Sequence, residues 1–198
     1  MSATTVTTKE RILEAAEELM LTKSFHSVGL NEILTAVKVP KGSFYHYFQS
    51  KEQFGVELLR HYVNEASEWK RRMLLSADQE PNPFLRLMAF LDLSAAHLLE
   101  KECQCACLVS KLASEVATFS DPMRAVLADG IREWRGIFEK VIAEGQKKGV
   151  IRRKINPAET AALIGDLWMG ASQRCQVERN VAPIRAAGKF IRNHLTPI

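Results

Sequence analysis

The chain has 198 residues, 46% hydrophobic and 25% charged, with a formal net charge of +4; this suits a soluble globular protein of one domain or two small ones and is too weakly basic to argue for nucleic acid by itself. No apolar run approaches membrane-spanning length, and Met1 to Lys9 has neither a charged n-region nor an apolar core, so neither a membrane helix nor a signal peptide is expected. The four cysteines, Cys103, Cys105, Cys107 and Cys175, are too few for a disulfide scaffold and fit a reducing cytoplasm.

Residues 1–6 are small and polar and read as a loose arm. Thr7 and Glu10 form a T-x-x-E capping box for a first helix, with Ile12, Ala16, Leu19 and Met20 on its buried face. Phe25 is expected to pack beneath the next two helices. From Gly29 to Lys51 the chain reads GLNEILTAVKVPKGSFYHYFQSK. Leu30, Ile33, Leu34 and Val37 recur at helical spacing. After a break at Lys38-Val39, Pro40 opens a second short helix, where its missing N–H does no harm. Phe44 and Phe48 lie one turn apart and face inward, leaving Lys41, Gly42, Ser43, Tyr45 and His46 outward. Ser50 and Gln53 then cap a fourth helix, roughly 51–75, with Phe54, Leu58, Tyr62, Trp69 and Met73 near one side.

The polar stretch SADQEPNP, 76–83, is the one clear linker. Asn82 and Pro83 open a fifth helix carrying Phe84, Met88, Leu91, Ala95 and Leu98. A break near Lys101 precedes a shorter helix holding three cysteines. Ser120-Asp121-Pro122 starts a long helix with Met123, Val126, Leu127, Ile131, Trp134, Phe138 and Val141 inward. It stops at Lys147-Lys148-Gly149, cations at the negative helix end and glycine at the turn. Asn156-Pro157 begins the next helix, and a last one runs about 183–195. No stretch reads as a strand, so the fold class is all-α.

Two short helices, a tight turn, and an outward face of cation, hydroxyl, aromatic and imidazole describe a helix-turn-helix whose second helix reads DNA. Gly42 has no Cβ to keep the backbone from a phosphate. Lys51, in the first turn of the fourth helix, can hold a second phosphate. Between residues 23 and 51 the charges are Lys23, Lys38, Lys41 and Lys51 against Glu32 alone, a local +3 that suits a phosphate footprint.

The run VPKGSFYHYFQSKEQF resembles the signature of the tetracycline-repressor (TetR) family of bacterial transcription regulators. The resemblance is strong over roughly residues 8–60 and returns weakly at GVIRRKINPAETAALIGDLWMGA. It implies a homodimeric, all-helical repressor that releases double-stranded, two-fold symmetric operator DNA when a small molecule binds or a side chain is modified. By the same resemblance Lys41 and His46 meet base edges, Tyr45 contacts a thymine methyl, and Ser43, Tyr47 and Lys51 hold phosphates. The expected division is a DNA-binding domain over 8–53 and a ligand-sensing and dimerisation domain over 54–198. The sequence departs from the family pattern twice. Val28-Gly29 stands where members often have Thr-Thr, which leaves Ser27 as the nearby hydroxyl. Lys38 stands where the turn often carries Gly, and is expected to take a positive φ.

In Cys103-Gln104-Cys105-Ala106-Cys107 helical spacing puts Cys103 and Cys107 on one face and Cys105 on another. A metal site is not expected, because neither His nor carboxylate ligands support the three thiols at a suitable spacing. An electrophile or redox sensor needs one accessible thiolate, favoured by a helix N-terminus or a cation such as Lys101 or Lys111. The stretch ACLVSKLASEV is similar to that of a cysteine-bearing subgroup of the same family that senses electrophiles, and Cys107 is the position carried over. Cys175 is a reserve partner. The alternative is that these thiols are small buried hydrophobes.

Trp69, Met73, Phe84, Met88, Phe119, Trp134 and Phe138 are candidates to line an apolar effector pocket, with ordinary core packing as the alternative for each. The last two helices are rich in small residues, and Gly165, Trp168, Ala171, Ala187 and Ile191 mark an expected dimer interface in which two helices from each chain form a four-helix bundle. No cofactor is implied. His26, His61, His97 and His194 are scattered, and no nucleophile–base pair or phosphate loop stands at a useful spacing, so an enzyme is not expected. A thiol-dependent helical enzyme using Cys107 and a structural helical dimer without DNA binding remain the competing classes.

Overall fold

The computed structural model describes residues 7–104 and 107–197, so the expected arm at 1–6 and Cys105 lie outside the described residues. Among those described, every regular element is a helix: α1 Thr8–Thr22, α2 Leu30–Ala36, α3 Lys41–Tyr47, α4 Lys51–Leu75, α5 Pro83–Glu100, α6 Leu108–Val116, α7 Asp121–Lys147, α8 Pro157–Glu178 and α9 Ala182–Leu195. The predicted starts are made by the predicted caps. Thr7 Oγ1 accepts from Glu10 N at 3.2 Å while the Glu10 carboxylate accepts from Thr7 N at 2.7 Å, the reciprocal box at α1. The Thr7 amide holds the Glu10 carboxyl below its ordinary range. Asn82 and Asn156 cap α5 and α8 through their side-chain oxygens.

Two details differ at α3 and α4. Pro40 is the N-cap of α3 in extended conformation (φ −61°, ψ 145°), one position before the first helical turn. At α4 the Ser50 hydroxyl accepts from Gln53 N at 3.0 Å, but the Gln53 side chain accepts from Gln49 N, one residue earlier than a closed box.

The chain divides into two compact units, Met1–Asn64 with Cys107–Ala128, and Glu65–Ala106 with Asp129–Ile198. The first unit takes in α6 as well as the expected 8–53 stretch, because α6 packs on α1. Helices α4 and α7 each begin in the first unit and end in the second.

Within the first unit, α1 packs on α2 and α2 on α3. The rings of Phe44, Phe48 and Phe54 form a fully buried triad with centroids 5.0–5.3 Å apart, fastening α3 to α4. Burying three such rings is worth several kcal/mol, about 1.5–3 each. The Arg11 guanidinium donates to Val37 O at 2.8 Å, satisfying a carbonyl at the end of α2. In the second unit, Leu87, Met88, Phe90 and Leu91 of α5 share a core with Phe138, Val141 and Ile142 of α7, Ile164 of α8 and Ile191 of α9. Gly149 ends α7 with φ +73°, the conformation expected of a glycine at that turn.

Candidate nucleic-acid interface

Seven residues form α3, and the buried Phe44 and Phe48 orient all of them. Lys41, Gly42, Tyr45 and His46 are exposed and Ser43 and Tyr47 half-buried, so one short helix gathers the expected readout face. Tyr45 is 58% exposed even though its ring stands edge-on to Phe44 at 5.5 Å. A Cβ built on Gly42 meets nothing within 4 Å, so no protein atom crowds the side of α3 there.

The turn into α3 carries the predicted cost. Lys38 adopts φ 57°, a left-handed backbone disfavoured for a side chain with a Cβ. The entry to α2 shows the other departure: Gly29 is the N-cap and makes no side-chain capping bond. Ser27 does not take that place, because its hydroxyl is engaged with Ser24, donating to Ser24 O at 3.0 Å and accepting from Ser24 Oγ at 2.9 Å. Lys51 is turned inward. Its ammonium donates to His26 O at 3.2 Å and Val28 O at 3.1 Å and lies 5.3 Å from the Phe25 ring centroid. An ammonium has three N–H donors. Two of them hold the loop before α2, which leaves at most one for a phosphate.

The cysteines are arranged differently from the helical reading. Cys103 lies in a turn after α5 with φ 59°, following Glu102 at φ 51°, and Cys107 is the extended N-cap of α6. The two therefore do not share a helical face. The chain leaves α5 at the expected break, through Cys103 N→Leu98 O at 2.9 Å, and this left-handed exit takes up Cys103, which was expected in the following helix. Cys103 and Cys175 are buried in one cluster with Leu98, Ile184 and Ala187, and burial pushes the Cys175 thiol up. Cys107 is half-buried at the start of α6, with Lys111 in the next turn.

Among the expected pocket residues, Trp69, Met73, Phe84, Met88, Trp134 and Phe138 meet in the core of the second unit. Trp134 donates from Nε1 to Ser67 Oγ at 3.0 Å, and the Lys70 ammonium sits 3.8 Å from its ring centroid. Phe119 does not join them. It lies in the first unit against His26, with ring centroids 4.4 Å apart.

The expected dimer residues need correction in the same way. Ala171, Ala187 and Ile191 are buried within this chain's own core, because they face across the α8–α9 pairing, while Trp168 is partly buried beside them. The large apolar side chains presented outward on these helices are Leu163, 64% exposed, Leu167, Phe190, 62% exposed, and Val177 near the end of α8. Gly165 has open space where a Cβ would stand. Leu167, Gly170 and Phe190 line an open groove flanked by Asp166 and Arg174. Small residues mask this outward face in the sequence, although Leu163, Leu167 and Gly170 are spaced at helical period.

Residues 12–58 match the family model described as bacterial regulatory proteins, tetR family, and residues 83–191 match the tetracyclin repressor-like C-terminal domain. The chain is similar to the HTH-type transcriptional repressor NemR of Escherichia coli (strain K12), 32% identical over 187 residues, 94% of this chain and 92% of that protein. It is also similar to the HTH-type transcriptional repressor DhaR of Mycobacterium sp. (strain GP1), 30% identical over 176 residues, 89% of this chain and 86% of the relative. The crystal structure of reduced E. coli NemR matches with a TM-score of 0.83 at 27% identity, covering 95% of this chain and 97% of that one. An exposed readout helix on a helical head, matched family models over both halves, and relatives aligned nearly end to end agree: the chain belongs to the TetR family of bacterial regulatory proteins.

Proposed function

We propose that the protein is a cytoplasmic transcriptional repressor that binds a two-fold symmetric operator as a homodimer, through α3 of each copy, and is released when an electrophile modifies Cys107. The carrying observation is α3 itself, whose exposed Lys41, Gly42, Tyr45 and His46 are held on a buried aromatic triad. Lys41 and His46 donate to base edges, Tyr45 reaches a thymine methyl, and Ser43 and Tyr47 steady the phosphates. No helix among the described residues is long and apolar enough to cross a membrane. The naming of relatives as repressors supports repression rather than activation.

Cys107 supports the sensing step by position. A thiolate at a helix N-terminus is favoured by the partial positive charge there. It adds to the electron-poor carbon of a quinone or maleimide, forming a C–S bond, and the adjacent carbon takes a proton from water. The bulk then sits at a half-buried helix start, where close packing tolerates it poorly.

Fluorescence anisotropy on a labelled duplex from the gene's own upstream region tests both parts. Two heads should occupy half-sites ~34–36 Å apart. Lys41→Ala or Tyr45→Ala should change which duplex is preferred. Sequence-selective binding by a chain lacking residues 1–50 would end the DNA reading. Maleimide should release wild type and spare Cys107→Ser; equal release of both would move the sensor elsewhere. Release of neither would favour a non-covalent effector among the aromatic residues around Trp134.

A further inference from the structure

The loop that leads into the helix-turn-helix is tied by its backbone to α6. The Phe25 N–H donates to the Glu115 carboxylate at 2.8 Å, joining residues 90 apart in sequence within the same compact unit. On its other side the loop gives two carbonyls, of His26 and Val28, to Lys51 of α4. The Phe25 side chain is buried and lies so close to α4 that a Cβ on Gly55 would stand 2.8 Å from its ring and 2.7 Å from Met123. His26 and Phe25 both meet Phe119, which follows α6 directly, with ring centroids 4.4 and 6.1 Å away. Three residues after Val28, α2 is under way, and α2 packs on α3.

We infer that Glu115 is a positioning residue for DNA binding: it sets the placement of the Phe25–Val28 loop, and through α2 the recognition helix, according to where α6 stands. The chemistry is specific. A buried amide N–H has a large penalty for losing its acceptor, and a carboxylate is the strongest neutral-pH acceptor a side chain supplies. Cys107 caps the start of α6 and Glu115 lies in its last turn, so one rigid rod of about 13 Å connects the sensor position to the loop. A shift of α6 by a fraction of its own pitch stretches a 2.8 Å bond beyond hydrogen-bond range, whereas the Lys51 bonds, made from α4, are untouched by it. The loop then keeps its α4 anchor and loses its α6 anchor, which rotates the head rather than unfolding it.

This rests on the operator-binding reading above, and the experiment separates the two. The full-length dimer is compared as wild type, Glu115→Ala and Glu115→Gln by operator anisotropy, thermal melting and hydrogen exchange of peptides covering residues 23–30, each with and without N-ethylmaleimide. Glu115→Ala should lose operator affinity about tenfold, the usual scale for one charge-assisted hydrogen bond. Its Phe25 amide should exchange faster, and its remaining affinity should change little on alkylation. Glu115→Gln, which keeps an acceptor oxygen, should restore most of the protection and the affinity. In wild type, alkylation alone should speed exchange of the Phe25 amide. The inference is overturned if Glu115→Ala binds and releases operator as wild type does, or if its Phe25 amide keeps full protection. It is also overturned if Gln fails to rescue, or if alkylation that releases wild-type operator through Cys107 leaves the Phe25 amide exchange unchanged. Alkylation that produces no Cys107-dependent release would instead sink the sensing reading. Absence of operator binding in wild type would instead sink the proposed function, while the exchange arms still decide whether Glu115 couples α6 to the loop.

Discussion

Lys38 holds the turn between α2 and α3 in a left-handed backbone that only glycine adopts without steric cost. Lys38→Gly should therefore stabilise the protein by about 1 kcal/mol, less the extra flexibility that glycine gives the unfolded chain. Calorimetry should show a melting temperature about 2–4 °C higher if the unfolding is cooperative. The same change removes an exposed cation, so the salt dependence of DNA binding should be unchanged or slightly shallower. Gly29 offers the complementary experiment. Its backbone is extended at φ −80°, ψ 138° and its Cβ position is open, so threonine fits there without strain. Gly29→Thr should restore a capping oxygen for α2 and a hydroxyl facing the phosphates. Operator affinity should rise severalfold, and an unchanged affinity would show that this edge of α2 does not meet the backbone of DNA.

At the scale of elements, α5 and α7 are joined by one charge that hydropathy patterns do not reveal. Arg86 is 3% exposed, donates to Leu74 O at 2.9 Å and Glu80 O at 3.0 Å, and pairs with the Glu144 carboxylate. It closes the linker between α4 and α5 by satisfying the buried Leu74 carbonyl and the half-buried Glu80 carbonyl. Arg86→Met should destabilise by about 3–5 kcal/mol, because it strands those partners rather than replacing them. Burial alone raises the Glu144 carboxyl, but Lys148 and Arg86 outweigh it and hold the group below its ordinary value of 4.5. A lowered folded-state value stabilises fully above the unfolded value and fades as pH falls through the folded one. Denaturant melts from pH 7 downward should thus show stability falling below about pH 4.5, and Glu144→Gln should flatten that part of the profile.

For the molecule as a whole, binding two operator half-sites requires two heads, and we propose that a second copy docks on the exposed apolar residues of α8 and α9. Leu163, Leu167 and Phe190 are exposed large side chains on adjoining helices, beside Gly165, where no Cβ keeps a partner away. Phe190→Glu should give monomers in light scattering that keep folded heads but lose most operator affinity. A dimer of unchanged mass would place the interface on another face. By contrast, Ala187→Glu should unfold the second unit, since Ala187 is enclosed by Cys175, Ile184 and Leu98.

What local chemistry decides was legible in the sequence: the caps at Thr7, Asn82 and Asn156, the strained turn at Lys38, and the outward face of α3 all depend on neighbours within four residues. What depends on distant packing was not. The inward turn of Lys51, the burial of Arg86, the position of Phe119 against His26 and the bond from Phe25 to Glu115 join residues 23 to 93 apart, and no periodicity encodes such partners. The cysteine segment failed for a related reason. The break near Lys101 was legible, but helical spacing from Cys103 to Cys107 assumes that the next helix begins at once, and the left-handed exit from α5 keeps Cys103 in the turn while α6 starts only after Cys107. Small residues likewise marked α8 and α9 as closely packing helices, but only the tertiary structure showed that Ala171, Ala187 and Ile191 are buried inside the chain while Leu163 and Phe190 stay exposed.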